Sequence, residues 1–323
     1  MKTFRKLFPK CMIFSIIASI ICSFSITAMQ TYTNKSFFEL CQERASLTPE
    51  TQHTINLLLK EAGTSNCTEA NKKLTGVKSL SFSDNSLSDL TPIESLINIE
   101  SFNSQNAQIS DISSLRFLKK LQILNLSNNQ ITDISPLRSL TNLERLEISQ
   151  NKVSDISTLE SLKSLVSLSL SVNKVTDISP LRSLKNLRVI NLASNQISDI
   201  SPLQSLTELR YLNLIDNRIS DIKPLEKLTK LTGLGISDNR ISDISSLKDM
   251  TDLVTLSAKR NQISDVRPLQ FLTKLEKLHL SDNYITDISA LKTLTQLEIM
   301  DMRKNPITNK TCPPLRLPDY CYF

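Results

Sequence analysis

A period of 22 residues runs through the middle of the chain without a gap. Residues 187–208 read LRVINLASNQISDISPLQSLTE, which defines the template L-x-x-L-x-L-x-x-N-x-I-x-D-I-x-P-L-x-x-L-x-x. The aspartate at template position 13 recurs at Asp89, Asp111, Asp133, Asp155, Asp177, Asp199, Asp221, Asp243, Asp265 and Asp287. So regular a spacing does not arise by chance, and it indicates one structural unit that repeats along the chain.

The positions of the apolar residues predict how one unit folds. Repeats of this length with a Leu/Asn pattern are typical of a leucine-rich-repeat solenoid. Leucines at positions one, four and six bracket a short strand, in which positions four and six point inward and positions three, five and seven point outward. A single coil leaves its flanks open, so it is stable only beside its neighbours. The predicted fold is therefore an arc with a parallel β-sheet on the concave face and short 3₁₀ or helical turns on the convex face.

Two polar template positions have predicted structural roles. The asparagine at position nine, where the chain leaves the strand, can both donate and accept hydrogen bonds. Apart from Ala107, which interrupts the series, it should form an internal ladder of Asn129, Asn151, Asn173, Asn195, Asn217, Asn239, Asn261 and Asn283. The aspartate at position 13 can cap the following turn. A calcium ladder is the alternative, but each aspartate stands alone between aliphatic residues, so we expect capping and no metal.

The first 28 residues have the pattern of a secretory signal peptide. Four basic residues precede an 18-residue apolar run, CMIFSIIASIICSFSITA, which ends in a small residue at Ala28. This three-part pattern predicts cleavage and export, with the product secreted or periplasmic and without a membrane span. An uncleaved membrane anchor is the alternative, because the run is close to the minimum length of a span.

The chain on either side of the repeats is predicted to close the solenoid. Residues 29–76 form a helical N-terminal cap, residues 77–308 form eleven repeats and residues 309–323 form a C-terminal cap. In the N-terminal cap, Thr48-Pro49-Glu50 is typical of a helix start, and Gly63 of its end. A second short helix should contain Cys67.

Four cysteines follow the predicted signal peptide, and an even number in an exported chain favours disulfides. A zinc site is the alternative, but the chain lacks CxxC spacing. Strands about 4.8 Å apart place the two caps about 48 Å from each other. A disulfide requires Cα atoms within about 7 Å, so the predicted pairs are Cys41–Cys67 and Cys312–Cys321.

Charge and motif content argue against several functions. The net charge is +6, but four of the 38 basic residues lie in the first 28 positions, which leaves 34 basic against 32 acidic residues, or +2. We therefore expect no nucleic-acid partner. The two histidines, His53 and His279, are interpreted as surface residues. No catalytic motif is recognisable, so we expect a protein that is not an enzyme and has no cofactor.

The outward template positions are mostly small or polar, and the exceptions are candidate partner-binding residues. These are Ile123, Arg145, Glu147, Val172, Val189, Tyr211, Asn213 and Ile215. Val189 is expected on the strand before that of Tyr211, and Val172 on the strand before that one. Gly233 and Gly235 on the next strand are expected to leave a shallow depression beside Tyr211. Outward aromatic and aliphatic side chains can anchor an interface, although single exposed apolar residues are also common on ordinary surfaces.

A second candidate surface is basic and lies toward the C-terminal end. Its members are Lys259, Arg260, Lys277, Arg303 and Lys304. They could bind an acidic protein or an anionic cell-surface glycan. Asp238, Asp282 and Asp301 are interspersed among them, which favours an ordinary solvated face.

The motif NxIxDIxPLxxL resembles that of the internalin-type bacterial repeat family, over about residues 36–308. The resemblance implies an exported protein that binds a host surface receptor through its concave face. The repeat also resembles that of the eukaryotic phosphatase-1 regulatory repeat protein, but that protein is intracellular and the export signal argues against the parallel. We expect a monomeric module that binds an unidentified protein partner. The alternatives are a structural or envelope-associated scaffold and a regulatory subunit that docks an enzyme.

Overall fold

A computed structural model describes residues 35–314 and 320–323, so the predicted signal peptide lies outside the described residues. The described chain begins with three α-helices: α1 (Phe37–Gln42), α2 (Pro49–Glu61) and α3 (Cys67–Leu74). Thr48 caps α2 as expected, since its hydroxyl accepts a hydrogen bond from the Thr51 amide. No helix within the described ranges is long and apolar enough to cross a membrane.

Twelve strands form one parallel sheet in sequence order. Each repeat contributes one three-residue strand, and neighbouring strands pair at an offset of 22 residues, as Val189 does with Tyr211. The strands are β1 (Ser79–Ser81), β2 (Ser101–Asn103), β3 (Ile123–Asn125), β4 (Arg145–Glu147), β5 (Ser167–Ser169), β6 (Val189–Asn191), β7 (Tyr211–Asn213), β8 (Gly233–Gly235), β9 (Thr255–Ser257), β10 (Lys277–His279), β11 (Ile299–Asp301) and β12 (Cys321–Tyr322). The predicted leucine-rich-repeat solenoid is confirmed.

Short 3₁₀ turns occupy the convex face. They are Thr91–Ile93, Ser113–Phe117, Ser135–Ser139, Ser157–Ser161, Ser179–Ser183, Ser201–Ser205, Lys223–Leu225, Ser245–Leu247, Arg267–Phe271 and Ser289–Thr293, with one more, Arg44–Ser46, in the N-terminal cap. Each template aspartate accepts a hydrogen bond of 2.7–2.9 Å from the backbone N–H two residues later. These carboxylates therefore fix the start of each turn.

From Asn129 onward, the asparagine ladder joins each coil to the one before it. Asn195 is typical: its amide donates to the carbonyls of Leu170 (3.0 Å) and Leu192 (3.1 Å), and its Oδ1 accepts from the Val175 N–H at 3.0 Å. The same pattern holds from Asn129 onward and extends to Asn305. Backbone groups that would otherwise be buried without partners are satisfied in this way.

The interruption at Ala107 removes the side-chain acceptor that the Leu87 N–H would use, as the Ile109 N–H uses Asn129. Without a side-chain acceptor at position 107, the Leu87 N–H donates instead to the Asp84 carbonyl at 3.3 Å. In the same coil, but apart from the ladder, Ser104 Oγ and Asn103 Oδ1 are buried without a hydrogen-bond partner. The second coil is therefore joined to the first less completely than the later coils are joined to each other.

Ala107→Asn is expected to raise the free energy of unfolding by about 1 kcal/mol, because the new amide would complete the ladder. Ala107→Asp is the matched control, since the carboxylate has nearly the same shape but cannot donate and would be ionised in a half-buried position. Urea unfolding of the three proteins measures the difference. A stability for Ala107→Asn at or below that of the parent would contradict the prediction.

Disulfides fasten both caps. The pairs are Cys41–Cys67 and Cys312–Cys321, as predicted, with Cα–Cα distances of 5.7 Å and 6.4 Å. The first joins α1 to α3. The second holds β12, which pairs with β11 and extends the sheet by one strand beyond the eleven repeats.

Candidate functional site

The strand register arranges the outward side chains into two rows across the concave face. The position-three row runs through Ser79, Ser101, Ile123, Arg145, Ser167, Val189, Tyr211, Gly233, Thr255, Lys277 and Ile299. The position-five row runs through Ser81, Asn103, Asn125, Glu147, Ser169, Asn191, Asn213, Gly235, Ser257, His279, Asp301 and Tyr322. The face is thus mostly small and polar, with a few large side chains at defined places.

The large apolar side chains concentrate on β6, β7 and the turns that follow β5 and β7. Val189 and Tyr211 are direct neighbours in the position-three row and are 37% and 44% exposed. Beyond the strands, Val172 is 48% exposed and Ile215 is half-buried. Asn213 lies between Tyr211 and Ile215, and its Oδ1 accepts from the Ile215 N–H at 3.1 Å. These five residues are called the Tyr211 patch.

The prediction of a shallow depression beside Tyr211 is wrong, because the Tyr211 side chain itself occupies that space. Both glycines of β8 are buried. A Cβ added to Gly233 would lie 2.8 Å from Tyr211 Cδ2, and one added to Gly235 would lie 3.1 Å from Ile215 Cδ1. The two outward positions of β8 carry no side chain, so Tyr211 and Ile215 pack over this strand while one side of each remains accessible.

Val172 does not lie on a strand, contrary to expectation. It follows β5 by three residues and has the left-handed backbone conformation, with φ of 55°. Asn106 and Asn128 occupy the same template position with φ of 59° and 56°. Asparagine tolerates this conformation, whereas a β-branched residue is strained there. The chain therefore holds an exposed apolar side chain at this edge of the Tyr211 patch in spite of a local cost.

Val172→Asn is expected to increase the free energy of unfolding by about 1 kcal/mol, because it relieves the left-handed strain. The matched control is Ser194→Asn at the equivalent position of the next coil, where φ is 54° but no branched side chain is replaced. That change should alter stability by less than about 0.5 kcal/mol. Thermal unfolding compares the two, and equal effects would contradict the explanation.

The other concave-face candidates lie apart from the Tyr211 patch. Ile123 is 44% exposed on β3, and strands β4 and β5 separate it from Val189. Arg145 and Glu147 on β4 form an ion pair with each other, with Nη2 2.6 Å from Oε1. Since their charges are mutually satisfied, they form a polar boundary rather than an extension of the apolar surface.

Four of the five residues in the C-terminal basic surface are engaged in ion pairs. Arg260 pairs with Asp238, and Lys304 Nζ lies 3.1 Å from Asp282 Oδ1. Both Lys259 and Arg303 bind the Asp301 carboxylate, at 3.2 Å and 2.8 Å. Lys277 alone has no carboxylate within ion-pair distance among the described residues. The interspersed aspartates thus neutralise most of this surface.

Asp301 is the buried centre of that network. The hydrogen bond from Arg303, with a smaller contribution from Lys259, holds the pKa of Asp301 well below its usual range. His279, its neighbour in the position-five row, is half-buried, and its Nδ1 has no hydrogen-bond partner. Burial, reinforced by Lys259, lowers the pKa of His279. His279 is therefore part of the packed sheet surface rather than a freely exposed side chain.

A Ser–His–Asp cluster at the junction of cap and repeats lacks the geometry of a catalytic triad. His53 Nε2 lies 3.1 Å from Ser86 Oγ and 3.2 Å from Asp84 Oδ2, so one ring nitrogen faces both partners. The Ser86 hydroxyl donates to Asp84 at 2.6 Å. A triad requires the carboxylate to orient the opposite ring nitrogen. The cluster instead ties α2 to the first repeat.

Two exposed arginines beside the Tyr211 patch, Arg188 and Arg210, were not among the predicted site residues. Each directly precedes a residue of the Tyr211 patch, and both are exposed. Their signal is visible in the sequence, because consecutive repeats carry arginine at the second template position.

One short parallel strand per 22-residue coil, an asparagine ladder and convex 3₁₀ turns define a leucine-rich-repeat protein. The family model "Leucine Rich repeats (2 copies)" matches residues 119–162, 163–205, 207–249, 251–293 and 273–316. No curated protein sequence matches the chain significantly. Many solved structures share the fold, including the functional domain of InlJ from Listeria monocytogenes, at 22% identity with a TM-score of 0.56 over 76% of this chain and 64% of that one.

Two structures are more similar in sequence, and both are internalins of Listeria monocytogenes. Internalin inlF is 33% identical with a TM-score of 0.67, over 77% of this chain and 80% of that one. Internalin C2 is 36% identical with a TM-score of 0.56, over 70% of this chain and 91% of that one. The chain belongs to the internalin-like leucine-rich-repeat proteins.

Proposed function

We propose that this chain is an exported, non-catalytic module that binds a protein partner through its concave face at the Tyr211 patch. The observation that carries the proposal is the cluster of accessible apolar side chains on an otherwise small and polar sheet. Val189 and Tyr211 are adjacent, and the Tyr211 ring packs over Gly233 of β8. Rigid aromatic side chains beside aliphatic ones are typical anchors of protein interfaces.

The strain at Val172 supports the same assignment. Backbone strain is retained where a function depends on it. Asparagine at this position would be easier to accommodate, yet the chain presents a valine that is 48% exposed. If Val172 contacts the partner, Val172→Asn will weaken binding while it stabilises the fold.

Two further features support export and binding without catalysis. Disulfides at both caps are typical of an oxidising compartment, in agreement with the signal peptide expected over residues 1–28. The concave face is a shallow surface on which repeated serine and asparagine side chains bond to nearby backbone or to each other, as Ser149 does to Ser169. Such a surface favours contact with a large partner over the enclosure of a small substrate.

Photo-crosslinking tests the proposal. Benzoylphenylalanine would replace Ser167, which neighbours Val189 in the position-three row, and in a matched control it would replace Gln204 on the convex face. Both proteins are irradiated with a cell-surface protein extract. We expect a discrete crosslinked partner from position 167 and not from position 204. Crosslinks from position 204 alone, or only to further copies of the same chain, would overturn the proposal, and the second result would favour a scaffold.

A further inference from the structure

Resting on the proposed function of the Tyr211 patch, we infer that its partner presents an aliphatic or aromatic side chain together with a neighbouring carboxylate, which Arg188 and Arg210 bind. The two arginines directly precede Val189 and Tyr211. Their backbones are adjacent across β6 and β7, because the Arg210 N–H donates to the Arg188 carbonyl at 2.8 Å. The two cations therefore lie side by side, each one residue before an apolar anchor of the Tyr211 patch.

Neither arginine is neutralised by its surroundings. Within the described part of the chain, no carboxylate lies within ion-pair distance of either guanidinium. The nearby carboxylates are bound by lysines: Glu208 to Lys230 and Asp252 to Lys274, each at 2.6 Å. The edge of the sheet below the Tyr211 patch therefore keeps two cations with unused hydrogen-bond donors.

The pKa of Glu208 agrees with this arrangement. Its pKa is lowered mainly by the hydrogen bond from Lys230, and the more distant charges of Arg210 and Arg188 add smaller effects. The two arginines are close enough to stabilise the ionised carboxylate of Glu208, but neither of them is bound to it. They remain available to an incoming anion.

The chemistry of the pair favours a protein carboxylate. Guanidinium groups bind carboxylates through two parallel hydrogen bonds, and they do so more strongly beside an apolar contact that excludes water. A polyanion such as a sulfated glycan would gain from the charges but would leave Tyr211 and Val189 exposed. A single peptide segment that carries an apolar side chain and a carboxylate would cover Tyr211 and Val189 with the first and bind the two arginines with the second.

The C-terminal basic surface does not offer the same site. Its arginines, Arg260 and Arg303, are already bound to Asp238 and Asp301. An incoming carboxylate would have to displace one of these carboxylates. Arg188 and Arg210, by contrast, are unpaired among the described residues and directly precede the exposed apolar residues of β6 and β7.

A displayed library of random dodecapeptides, selected against the full chain produced by an exporting host, tests the inference. Enriched peptides are expected to carry Asp or Glu within three residues of an aromatic or aliphatic residue. For a synthetic enriched peptide, the R188E/R210E variant should lose at least 30-fold in affinity. The R138E/R182E control makes the same charge change on the convex face and should lose less than 2-fold. Exchanging the peptide acid for lysine should restore binding to R188E/R210E.

The outcomes separate this inference from the proposed function. Peptides that lose affinity on Tyr211→Ala but bind R188E/R210E as well as the parent would overturn the carboxylate inference and leave the concave interface in place. Enrichment of peptides whose affinity is unchanged by Tyr211→Ala would overturn both the carboxylate inference and the proposed function. Binding of heparin in place of peptides, with Tyr211→Ala unaffected, would also overturn both. Circular dichroism of each variant confirms that the exposed substitutions leave the fold intact.

Discussion

Replacing Tyr211 by alanine and Ile215 by serine in one protein is expected to weaken partner binding by at least 100-fold. Interface anchors of this kind contribute about 2 kcal/mol or more each when truncated. Tyr211→Ala also uncovers Gly233, because the tyrosine ring packs over that glycine. Because both side chains are at least partly solvent-exposed, the free energy of unfolding should fall by no more than about 1–2 kcal/mol. Calorimetric titration with the crosslinked partner, purified, measures the affinity.

Phe271→Ala is the matched control for this experiment. Phe271 is 52% exposed on a convex 3₁₀ turn, so its truncation removes a similar accessible aromatic ring from the opposite face. The affinity of the Phe271→Ala variant for the partner should equal that of the parent protein. An unchanged affinity in the Tyr211/Ile215 variant, or an equal loss in the Phe271 variant, would contradict a concave-face interface.

Asn195→Ala is expected to lower the free energy of unfolding by about 2–4 kcal/mol. The substitution leaves the Val175 N–H and the carbonyls of Leu170 and Leu192 without these side-chain hydrogen bonds in a buried position. A buried group that loses its partner costs about 1–3 kcal/mol. Since each coil is stable only beside its neighbours, the loss weakens the joint between two coils in the centre of the array. Urea unfolding provides the measurement.

Asn186→Ala supplies the comparison for the ladder. Asn186 is exposed and its amide makes one surface hydrogen bond, to the Lys163 carbonyl at 3.0 Å. Water can replace that bond, so stability should change by less than about 0.5 kcal/mol. Similar losses from the two substitutions would mean that the buried ladder is not what joins the coils.

The repeat alone predicted the fold because every coil must meet the same physical demands. Inward leucines, a turn asparagine and a capping aspartate recur at a fixed spacing, and only stacked parallel coils bury the leucines while satisfying the two polar residues. The disulfide pairs followed from the distance between the caps. The exception at Ala107 was visible in the sequence, but the substitute acceptor of the Leu87 N–H, the Asp84 carbonyl, could not be predicted from it.

Two elements were missed at the ends, where the template gives no guidance. Helix α1 was not predicted, although Ser36 and Glu39 form a capping box that is recognisable in the sequence. Strand β12 contains two residues and follows no repeat motif. Its pairing depends on the proximity of β11, so nothing in the local sequence indicates it.

The rows of outward residues could be predicted from the sequence. The packing and the solvent accessibility of each outward side chain could not. Strand alternation placed Tyr211 on the concave face correctly. Packing of Tyr211 over Gly233 depends on its side-chain conformation and on the neighbouring strand. In the same way, Asp301 occupies an outward position yet is buried, because Lys259 and Arg303 close over it. Template position indicates a direction, whereas accessibility is decided by neighbours 22 residues away.

Hydroxyl-radical footprinting tests the central claim of a concave binding face most directly. Aromatic rings react readily, and Tyr211, Phe271 and Tyr284 are 44%, 52% and 63% exposed in the free chain. With the crosslinked partner bound, we expect oxidation of Tyr211 to fall at least fivefold while oxidation of Phe271 and Tyr284 stays unchanged. Protection of Phe271 with Tyr211 still oxidised at its free rate would contradict the account.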